Sequence, residues 1–377
     1  MAGGGPRIAI VGGGIAGTLL AWRTVRARGA ASVDLFTGGA AGGEGPVGTE
    51  GGGGAGSAGN AVGRTDASRV SGGLVRGFEP TAAAAGPAAE SLAEIRGSDR
   101  LREWSGYRET GSLYVLSGDA DVRAPVDVVD VRLPGSAEVV GRDGILRAFP
   151  FRELPPGSVA VVERYAGYIS PHRLRGAALR AAAGAGATVH AAAVDAVTPD
   201  PTVRTADGRT LRYDRVVVAT GAWTPGLLAR GGLPDAGLRT KHIQYSLCRA
   251  SPDGVSPGGA VLGGLVPFVD ENSGLYGRPW GDGTFLLGIP CDRWDVDPDA
   301  VTPDTETAER LAERVRQVFG VTVTVVRTVA SCDCYHDPGG LELRSLGPGL
   351  YTFTGGSGGA AKTVVFASRK AAAALLE

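Results

Sequence analysis

The feature that most constrains the fold is a glycine-rich turn between a short apolar run and a helical segment near the start of the chain. Residues 8–11 form an apolar run typical of a buried parallel strand, and residues 18–28 have a helical pattern. Between them, Gly12, Gly14 and Gly17 have the spacing G-x-G-x-x-G. The first glycine permits a tight turn, the second lets the backbone approach a pyrophosphate, and the third lets the helix pack on the strand. The segment therefore predicts a Rossmann-type dinucleotide-binding unit, with amides of the helix N-terminus facing the phosphates.

The composition excludes several classes of protein. The chain has 377 residues, enough for two domains, and its formal net charge of −1 gives no reason to expect a nucleic-acid partner or an anionic membrane surface. Four cysteines are too few for a disulfide framework, no run of about 20 apolar residues predicts a membrane span, and no metal-ligand spacing is present. We therefore expect a cytoplasmic protein, a monomer or homodimer, that acts on a small molecule.

The remaining pattern predicts an α/β protein, α+β overall, in which a second sheet interrupts the dinucleotide-binding unit. Further elements are expected as buried strands at residues 32–37, 215–220 and 350–354, an antiparallel set at 238–289, a strand at 126–132 and an amphipathic helix at 303–319. The dinucleotide-binding domain is assigned to residues 1–85, 160–236 and 332–377, and a mixed-sheet substrate domain to residues 86–159 and 237–331.

Two features near the second strand depart from a standard dinucleotide-binding unit. That strand usually ends in an Asp or Glu that binds a ribose hydroxyl, whereas here the position is Thr37. Residues 38–63 are half glycine and contain too little apolar surface to offset the entropy of ordering. We expect a flexible insertion there, and favour an inert segment over a substrate lid.

Blocks of sequence along nearly the whole chain carry a family resemblance. They are residues 8–17, Gly167-Tyr-Ile-Ser-Pro171 with the helix that follows it, Val216-Val-Val-Ala-Thr-Gly-Ala-Trp223, Ser331-Cys-Asp-Cys-Tyr-His-Asp-Pro338 and residues 350–362. Together they resemble the D-amino-acid oxidase-like FAD-dependent oxidoreductases, especially the branch of monomeric sarcosine oxidase, N-methyltryptophan oxidase and pipecolate oxidase. The resemblance implies bound FAD, a split Rossmann-type sheet and a second sheet that covers the isoalloxazine.

The resemblance also implies which residues contact FAD. The pyrophosphate would lie on the first glycine-rich turn, the adenine on backbone near Val194, and the flavin ring beside the closing turn at residues 354–362. The candidate cofactor residues are Gly12, Gly14, Ile15, Ala16, Gly17, Thr37, Ser68, Val194, Gly221, Trp223, Cys332, Gly356, Ser357, Gly358, Gly359 and Lys362.

One cysteine is a candidate for covalent attachment of the flavin. In the sarcosine oxidase branch, a Cys six residues before a Pro carries the flavin at its 8α carbon, and Cys332 has that spacing to Pro338. A thiolate of low pKa would be the attacking species. The alternatives are an inert buried thiol and a link through Cys334.

The substrate residues are also implied by the resemblance. Lys362 matches a Lys that helps to hold a substrate carboxylate, and Arg76 is the best match for its Arg partner, with Arg69 second. Arg suits a carboxylate through its planar fork, although a structural salt bridge is the alternative for either Arg. The other candidate catalytic residues are Tyr276, from the Tyr-Gly-x-Pro segment, and His336, as a polar group beside the flavin or a structural histidine.

Two departures bear on the chemistry. The family has a His where this chain has Gly359, and Leu286 stands where the family has the Lys that activates oxygen. Rapid use of O2 is therefore in question, with Arg278, His242 and Lys241 as electrostatic substitutes.

We expect FAD-dependent oxidation of a C–N bond of an amine or amino acid, by hydride transfer to flavin N5 to give an imine, on a specialised biosynthetic substrate rather than sarcosine. The alternatives are an FAD dehydrogenase or desaturase that passes electrons to a carrier instead of O2, and a non-catalytic flavin-binding partner subunit.

Overall fold

The structure is a computed structural model that describes residues 5–27, 32–38, 66–255 and 262–377. Its α-helices are α1 (Ile15–Arg26), α2 (Ala67–Val70), α3 (Ala82–Arg96), α4 (Asp99–Ser105), α5 (Arg123–Arg132), α6 (Arg142–Ala148), α7 (Pro171–Gly184), α8 (Thr224–Arg230), α9 (Thr305–Phe319) and α10 (Ala360–Ala374). Within the described ranges, no helix is long and apolar enough to cross a membrane.

The strands, also in chain order, are β1 (Arg7–Val11), β2 (Ser32–Phe36), β3 (Leu74–Val75), β4 (Arg108–Glu109), β5 (Ser112–Leu116), β6 (Ala137–Gly141), β7 (Val159–Glu163), β8 (Gly167–Tyr168), β9 (Thr188–His190), β10 (Val194–Thr198), β11 (Thr202–Thr205), β12 (Thr210–Arg212), β13 (Arg215–Val218), β14 (Leu238–Val255), β15 (Phe268–Asp270), β16 (Leu275–Gly281), β17 (Thr284–Gly288), β18 (Val321–His336), β19 (Glu342–Gly347) and β20 (Leu350–Thr354).

The first large sheet has the order β19-β20-β13-β1-β2-β9 and is parallel except for β19. Its central strands are short apolar runs with fully buried side chains, as expected for strands that are covered on both faces. Helices α1, α7 and α10 contribute apolar residues such as Leu19, Leu174 and Val364 to the core on one face. Strands from separate parts of the chain therefore form one Rossmann-type sheet.

The second large sheet is mixed, with the order β18-β14-β17-β16-β15-β5-β7-β6. Its longest ladder joins β14 and β18 in antiparallel register, from Leu238 opposite His336 to Val255 opposite Val321. Phe151, Phe268 and Phe319 pack in the core between this sheet and α9. The fold class predicted from the sequence, a Rossmann-type unit interrupted by a mixed sheet, is thus confirmed. The residue boundaries given for the two domains stay a prediction.

The end of β18 joins the two sheets. Leu238 and Cys334 share an apolar cluster with Val216 and Val218 of the first sheet, and Tyr335 makes an isolated β-bridge to Gly356. This contact brings the cysteine-containing end of β18 against the closing glycine-rich turn, which includes a 3₁₀ turn at Ser357–Gly359.

Local predictions succeed where one residue type determines the backbone. The amphipathic helix predicted at residues 303–319 is α9, which begins after the capping side chain of Asp304 and ends at Gly320, with φ of 70°. The strand predicted at residues 126–132 is wrong, because these residues belong to α5. Val126, Val129 and Leu133 pack on the same apolar core as α3, so helical packing outweighs the strand preference of the valines. Of the predicted insertion at residues 38–63, all but Gly38 lies outside the described residues.

Candidate functional site

A first cavity of about 530 Å³ lies beyond the carboxyl ends of β1 and β2, the usual ligand position in a sheet of this kind. Most of the predicted cofactor residues line it, from both sheets and from both glycine-rich turns. These residues are Gly12, Gly14, Ile15, Ala16, Thr37, Ser68, Val194, Gly221, Trp223, Cys332, Gly356 and Ser357.

The first glycine-rich turn leaves no space for side chains at two positions. Gly12 has φ of 133°, and a Cβ there would lie 2.2 Å from the carbonyl oxygen of Ala219. A Cβ at Gly17 would lie 2.0 Å from the carbonyl oxygen of Gly12. Gly14 precedes α1 without a capping side chain, and the Ile15 amide donates to Ser68 Oγ over 3.0 Å. The turn therefore brings backbone to the cavity wall at the N-terminus of a helix.

Thr37 follows β2, at the position where dinucleotide-binding units usually have an Asp or Glu that binds a ribose hydroxyl. Its amide donates to the His190 carbonyl over 2.9 Å, and its hydroxyl donates to the same oxygen over 3.3 Å. Asp34, earlier in β2, accepts a hydrogen bond from the Tyr213 hydroxyl over 2.6 Å. The carboxylate of this strand is therefore used within the protein, and Thr37 presents a hydroxyl at the cavity.

A second cavity of about 390 Å³ adjoins the first. The two share lining residues that include Ser68, Asp333 and Ser357. The mixed sheet forms much of its wall, and Gly358, Gly359 and Lys362 line it from the closing turn and α10. Ser357 has φ of 55°, which a residue with a side chain seldom adopts, so the turn is conformationally strained where the cavities meet.

Two cations at the second cavity share one carboxylate. Arg76 Nη2 lies 2.8 Å from Glu79 Oε1, and Lys362 Nζ donates to the same oxygen. Burial, and after it the charge of Arg76, lowers the pKa of Lys362 to about 8. Burial opposes ionisation of Glu79, but Arg76 and Lys362 outweigh it and lower the pKa of that carboxyl. Arg76 and Lys362 therefore share one ion-pair partner beside the cavity, and the buried carboxyl of Glu163 lies close enough to interact with both.

The loop that carries Arg76 is fixed by a second buried acid. Glu163 Oε1 accepts from the Gly77 amide and Oε2 from the Phe78 amide, each over 2.9 Å. Arg76 Nε also donates to the Phe78 carbonyl over 3.0 Å. The sequence interpretation missed both Glu79 and Glu163. Only Glu79, three residues after Arg76, had a local signal.

Asp333 and Cys332 lie on opposite faces of β18, since successive residues of a strand alternate. Asp333 is 5% exposed, lines both cavities, and its Oδ2 has no hydrogen-bond partner in the described part of the chain. Cys332 lines only the first cavity, and burial, followed by the charge of Asp333, raises the pKa of its thiol to about 12. Burial beside an acidic residue therefore opposes the thiolate that covalent attachment requires, and the link through Cys332 stays a prediction.

Of the other predicted catalytic residues, Tyr276 lines a cavity, whereas Arg69 and His336 do not. Tyr276 lines the second cavity, and its hydroxyl donates to the Gln244 carbonyl over 3.1 Å. Arg69 and His336 are not among the described residues that line either cavity. Arg69 lies in α2, whereas His336 Nδ1 lies 2.9 Å from the Pro338 carbonyl oxygen. The structure thus brings together Arg76, Lys362 and Tyr276.

Leu286 lines the second cavity, as do Lys241 and His242 from β14. The ammonium group of Lys241 lies 4.4 Å from the centre of the Trp294 ring. Arg278 is not among the described lining residues, and its guanidinium lies 4.1 Å from the centre of the Tyr168 ring. Of the three predicted substitutes for the missing Lys, two therefore reach the cavity wall.

A family model described as FAD dependent oxidoreductase matches residues 7–374. A search of curated protein sequences found no match. Among solved structures, L-proline dehydrogenase from P. horikoshii has 16% identity and a TM-score of 0.73, over 98% of this chain and 92% of that one. NikD, an unusual amino acid oxidase essential for nikkomycin biosynthesis, has 21% identity and a TM-score of 0.69, over 100% and 95%.

Iminodiacetate oxidase from Chelativorans sp. BNC1 is similar at 19% identity and a TM-score of 0.68, over 97% of this chain and 94% of that chain. At these identities the likeness to each structure shows a shared fold. The sarcosine oxidase branch named above stays a prediction.

The role of Glu163 gives a first testable prediction. In Glu163→Gln, one backbone amide of the Arg76 loop would face an NH2 group instead of an oxygen, so a buried donor would lose its acceptor. We expect the free energy of unfolding to fall by about 1–3 kcal/mol, as urea titration would measure. Glu153→Gln, at an exposed site, is the matched control and should change it by less than about 0.5 kcal/mol. Equal effects of the two variants would contradict this role.

Proposed function

Because this chain belongs to the FAD-dependent oxidoreductase family, we propose that it binds FAD along the first cavity and oxidises a C–N single bond of an amine or amino acid held in the second. FAD, when bound, supplies the acceptor for the two electrons and the hydrogen that leave the substrate carbon. The chain's own residues bind and orient the substrate and exclude water.

The residues of the first cavity fit a dinucleotide. Glycine is required at Gly12 and Gly17, and the residues before α1 and α10 supply no capping side chain. The first amide of each helix is already bonded, Ile15 to Ser68 and Ala360 to Ser357, so a ligand would be held by the other amides of the first turns. The pyrophosphate would be held at the first of these helices, with Thr37 as the ribose contact. The flavin ring would be held beside Ser357 and Gly358, where the dipole of α10 stabilises the negative charge that reduction brings.

One observation carries the substrate class: Arg76 and Lys362, from distant parts of the chain, meet at one carboxylate beside the second cavity. The two buried cations share Glu79 as their ion-pair partner, and the other nearby carboxyl, Glu163, is bound to the backbone amides of Gly77 and Phe78, so a substrate carboxylate would give the cations a second partner. Arg76 offers a planar fork and Lys362 a point charge, so together they would fix the position and the orientation of a carboxylate. We therefore propose a substrate with a carboxylate close to its amine.

Roles follow for the remaining wall of the cavity. Tyr276 is held by its hydrogen bond to Gln244 and would confine the substrate from one side, with Leu286 as an apolar neighbour. Gly359 and Leu286 replace two polar residues of the resembled family, which favours a specialised substrate over sarcosine.

Bleaching of the flavin under anaerobic conditions by sarcosine, glycine, L-proline, L-pipecolate or L-tryptophan tests the reaction class. If sarcosine is oxidised best, the proposal of a specialised substrate is wrong.

The carboxylate site gives a second prediction. Lys362→Met removes one of the two cations, so we expect the amino acid that bleaches the flavin best to bind about 10–100-fold more weakly. The measurement is the concentration dependence of anaerobic bleaching, with bound FAD determined for each preparation. Lys370→Met, on the exposed part of the same helix, is the control and should bind as the wild type does. Unchanged binding in Lys362→Met would contradict the site.

Covalent attachment is a separate proposal. The observation that favours the bond is that Cys332 lines the first cavity, where the flavin is proposed to lie. Burial opposes the loss of the thiol proton that the bond requires, so the attachment needs a direct test. We expect acid precipitation to leave the flavin in the pellet for the wild type and Cys334→Ser, and in the supernatant for Cys332→Ser. Free flavin from the wild type would exclude the bond.

A second candidate function, a dehydrogenase that passes electrons to a carrier, is favoured by Leu286. This buried apolar side chain lines the second cavity where the resemblance places a cation. Without that charge, the negative charge that develops on O2 is less stabilised. We expect slow reoxidation of the reduced enzyme in air, and reoxidation about 10-fold faster or more in Leu286→Lys. Leu286→Met is the uncharged control. Stopped-flow reoxidation measures both, and rapid reoxidation of the wild type would support an oxidase.

A further inference from the structure

Asp333 is a buried carboxyl group to which the proposed function assigns no role. It lines both cavities, and Oδ2 is shielded from solvent without a hydrogen-bond partner in the described residues. An ionised carboxylate without a partner is costly inside a protein, so such a group in a native site calls for a partner that a ligand supplies. The position at the junction means that this ligand would be the substrate or the flavin ring.

The neighbours of Asp333 leave its Oδ2 free for a ligand. On the facing strand, Lys241 is its direct partner in register, but the Lys241 ammonium group lies against the Trp294 ring. The Tyr276 hydroxyl is occupied by its bond to Gln244. The titratable and charged groups that line the second cavity with Asp333 are Arg76 after β3, Lys241, His242 and Tyr245 on β14, Tyr276 on β16, Cys291 after β17, Tyr335 on β18 and Lys362 on α10. Those that line the first cavity with it are Asp66, Arg175, Arg230, Asp297, Asp299, Cys332 and Cys334.

Asp333 and the carboxylate site approach the same turn. A Cβ at Gly358 would lie 3.2 Å from Asp333 Oδ2, and a Cβ at the next residue, Gly359, would lie 3.5 Å from Lys362 Nζ. The two side chains therefore reach neighbouring residues from different elements. In an α-amino acid the amine is two bonds from the carboxylate carbon, so a substrate whose carboxylate is held by Lys362 could direct its amine towards the turn that Asp333 also approaches.

We propose that Asp333 accepts the proton of the substrate's ammonium group at Oδ2, so that the amine beside the flavin has a free lone pair. This inference rests on the proposed amine oxidation. In the step, one N–H bond breaks and one O–H bond forms at Oδ2, and no electrons leave the substrate. With FAD bound, the adjacent carbon would then give up a hydride and the nitrogen lone pair would form the C=N bond of an iminium ion, the protonated form of the imine, which an ammonium group, having no lone pair, cannot do.

Burial also brings the proton affinity of the Asp333 carboxylate closer to that of the substrate amine. The pKa of Asp333 is raised from 3.8 to about 7, because the buried site disfavours the carboxylate. The proton is therefore held more firmly than by an ordinary Asp, and transfer from an amine is less uphill. After transfer, a neutral amine faces a neutral acid, and the only substrate charge left is the carboxylate at Arg76 and Lys362.

The test compares wild type, Asp333→Asn and Asp333→Glu as FAD-loaded enzymes. Anaerobic reduction of the flavin by sarcosine, L-proline and L-pipecolate is followed from pH 6 to 10. We expect the Asn variant to follow the ionisation of the amine in solution, so that it is about 100-fold slower at pH 7 and approaches the wild type near pH 10. The Glu variant should recover part of the rate at pH 7.

A readout apart from activity is the pH dependence of thermal unfolding. A carboxyl with a raised folded pKa contributes its full stability below pH 4 and loses it as the pH rises towards 7. Asp333→Asn should therefore unfold at a higher temperature than the wild type at pH 8, with no such gain at pH 4. Asp127→Asn, at an exposed helical site, is the control and should match the wild type at both.

The outcomes separate this inference from the function on which it rests. If the Asn variant has the wild-type pH profile for flavin reduction, Asp333 does not take the proton and the inference is overturned, whatever the unfolding shows. If none of the three compounds reduces the wild-type flavin although FAD is bound, the proposed amine oxidation fails and the inference fails with it.

Discussion

A single carboxylate, that of Glu79, holds together two cations from distant parts of the chain. Arg76 follows β3, and Lys362 lies in the first turn of α10. Removing three charged groups from water costs several kcal/mol for each ion, and replacing such clusters by apolar residues is often neutral or stabilising. The arrangement is therefore a poor device for stability, and it is better explained by a ligand that completes its charge.

The two sheets determine where that ligand would lie. The carboxyl ends of β1 and β2 open on the first cavity, while the wall of the second cavity comes largely from the mixed sheet. The end of β18 joins the two sheets, because Tyr335 makes a β-bridge to Gly356 of the closing turn. Chemistry at the junction thus needs both sheets in place, and Asp333 lies at that junction because of its position on β18.

The sequence predicted best what is encoded locally. The first glycine-rich turn and the end of α9 at Gly320 each depend on one or two residue types in fixed order. The pairing of Arg76 with Lys362 came from the family resemblance, since nothing in the local pattern links two such distant positions. Residues 126–132 were misassigned because contacts with α3 decide their conformation, and those contacts are invisible in the sequence.

The site residues that the sequence missed share one cause. Glu163 binds amides 85 and 86 residues earlier in the chain, so no spacing rule finds it. Asp333 lies inside the block that carries the family resemblance, but the motif singles out Cys332, and the sequence does not show which of the two neighbours faces the second cavity. His336, at the last residue of β18, lies beyond the residues of that strand that line the two cavities.

A crystal structure of the FAD-loaded enzyme with a bound amino acid tests the central claim most directly. The account predicts the pyrophosphate at Gly12–Gly17 and the flavin ring beside the closing turn. It places the substrate carboxylate within hydrogen-bond distance of both Arg76 and Lys362. A carboxylate bound elsewhere, with Arg76 and Lys362 still paired only to Glu79, would contradict it.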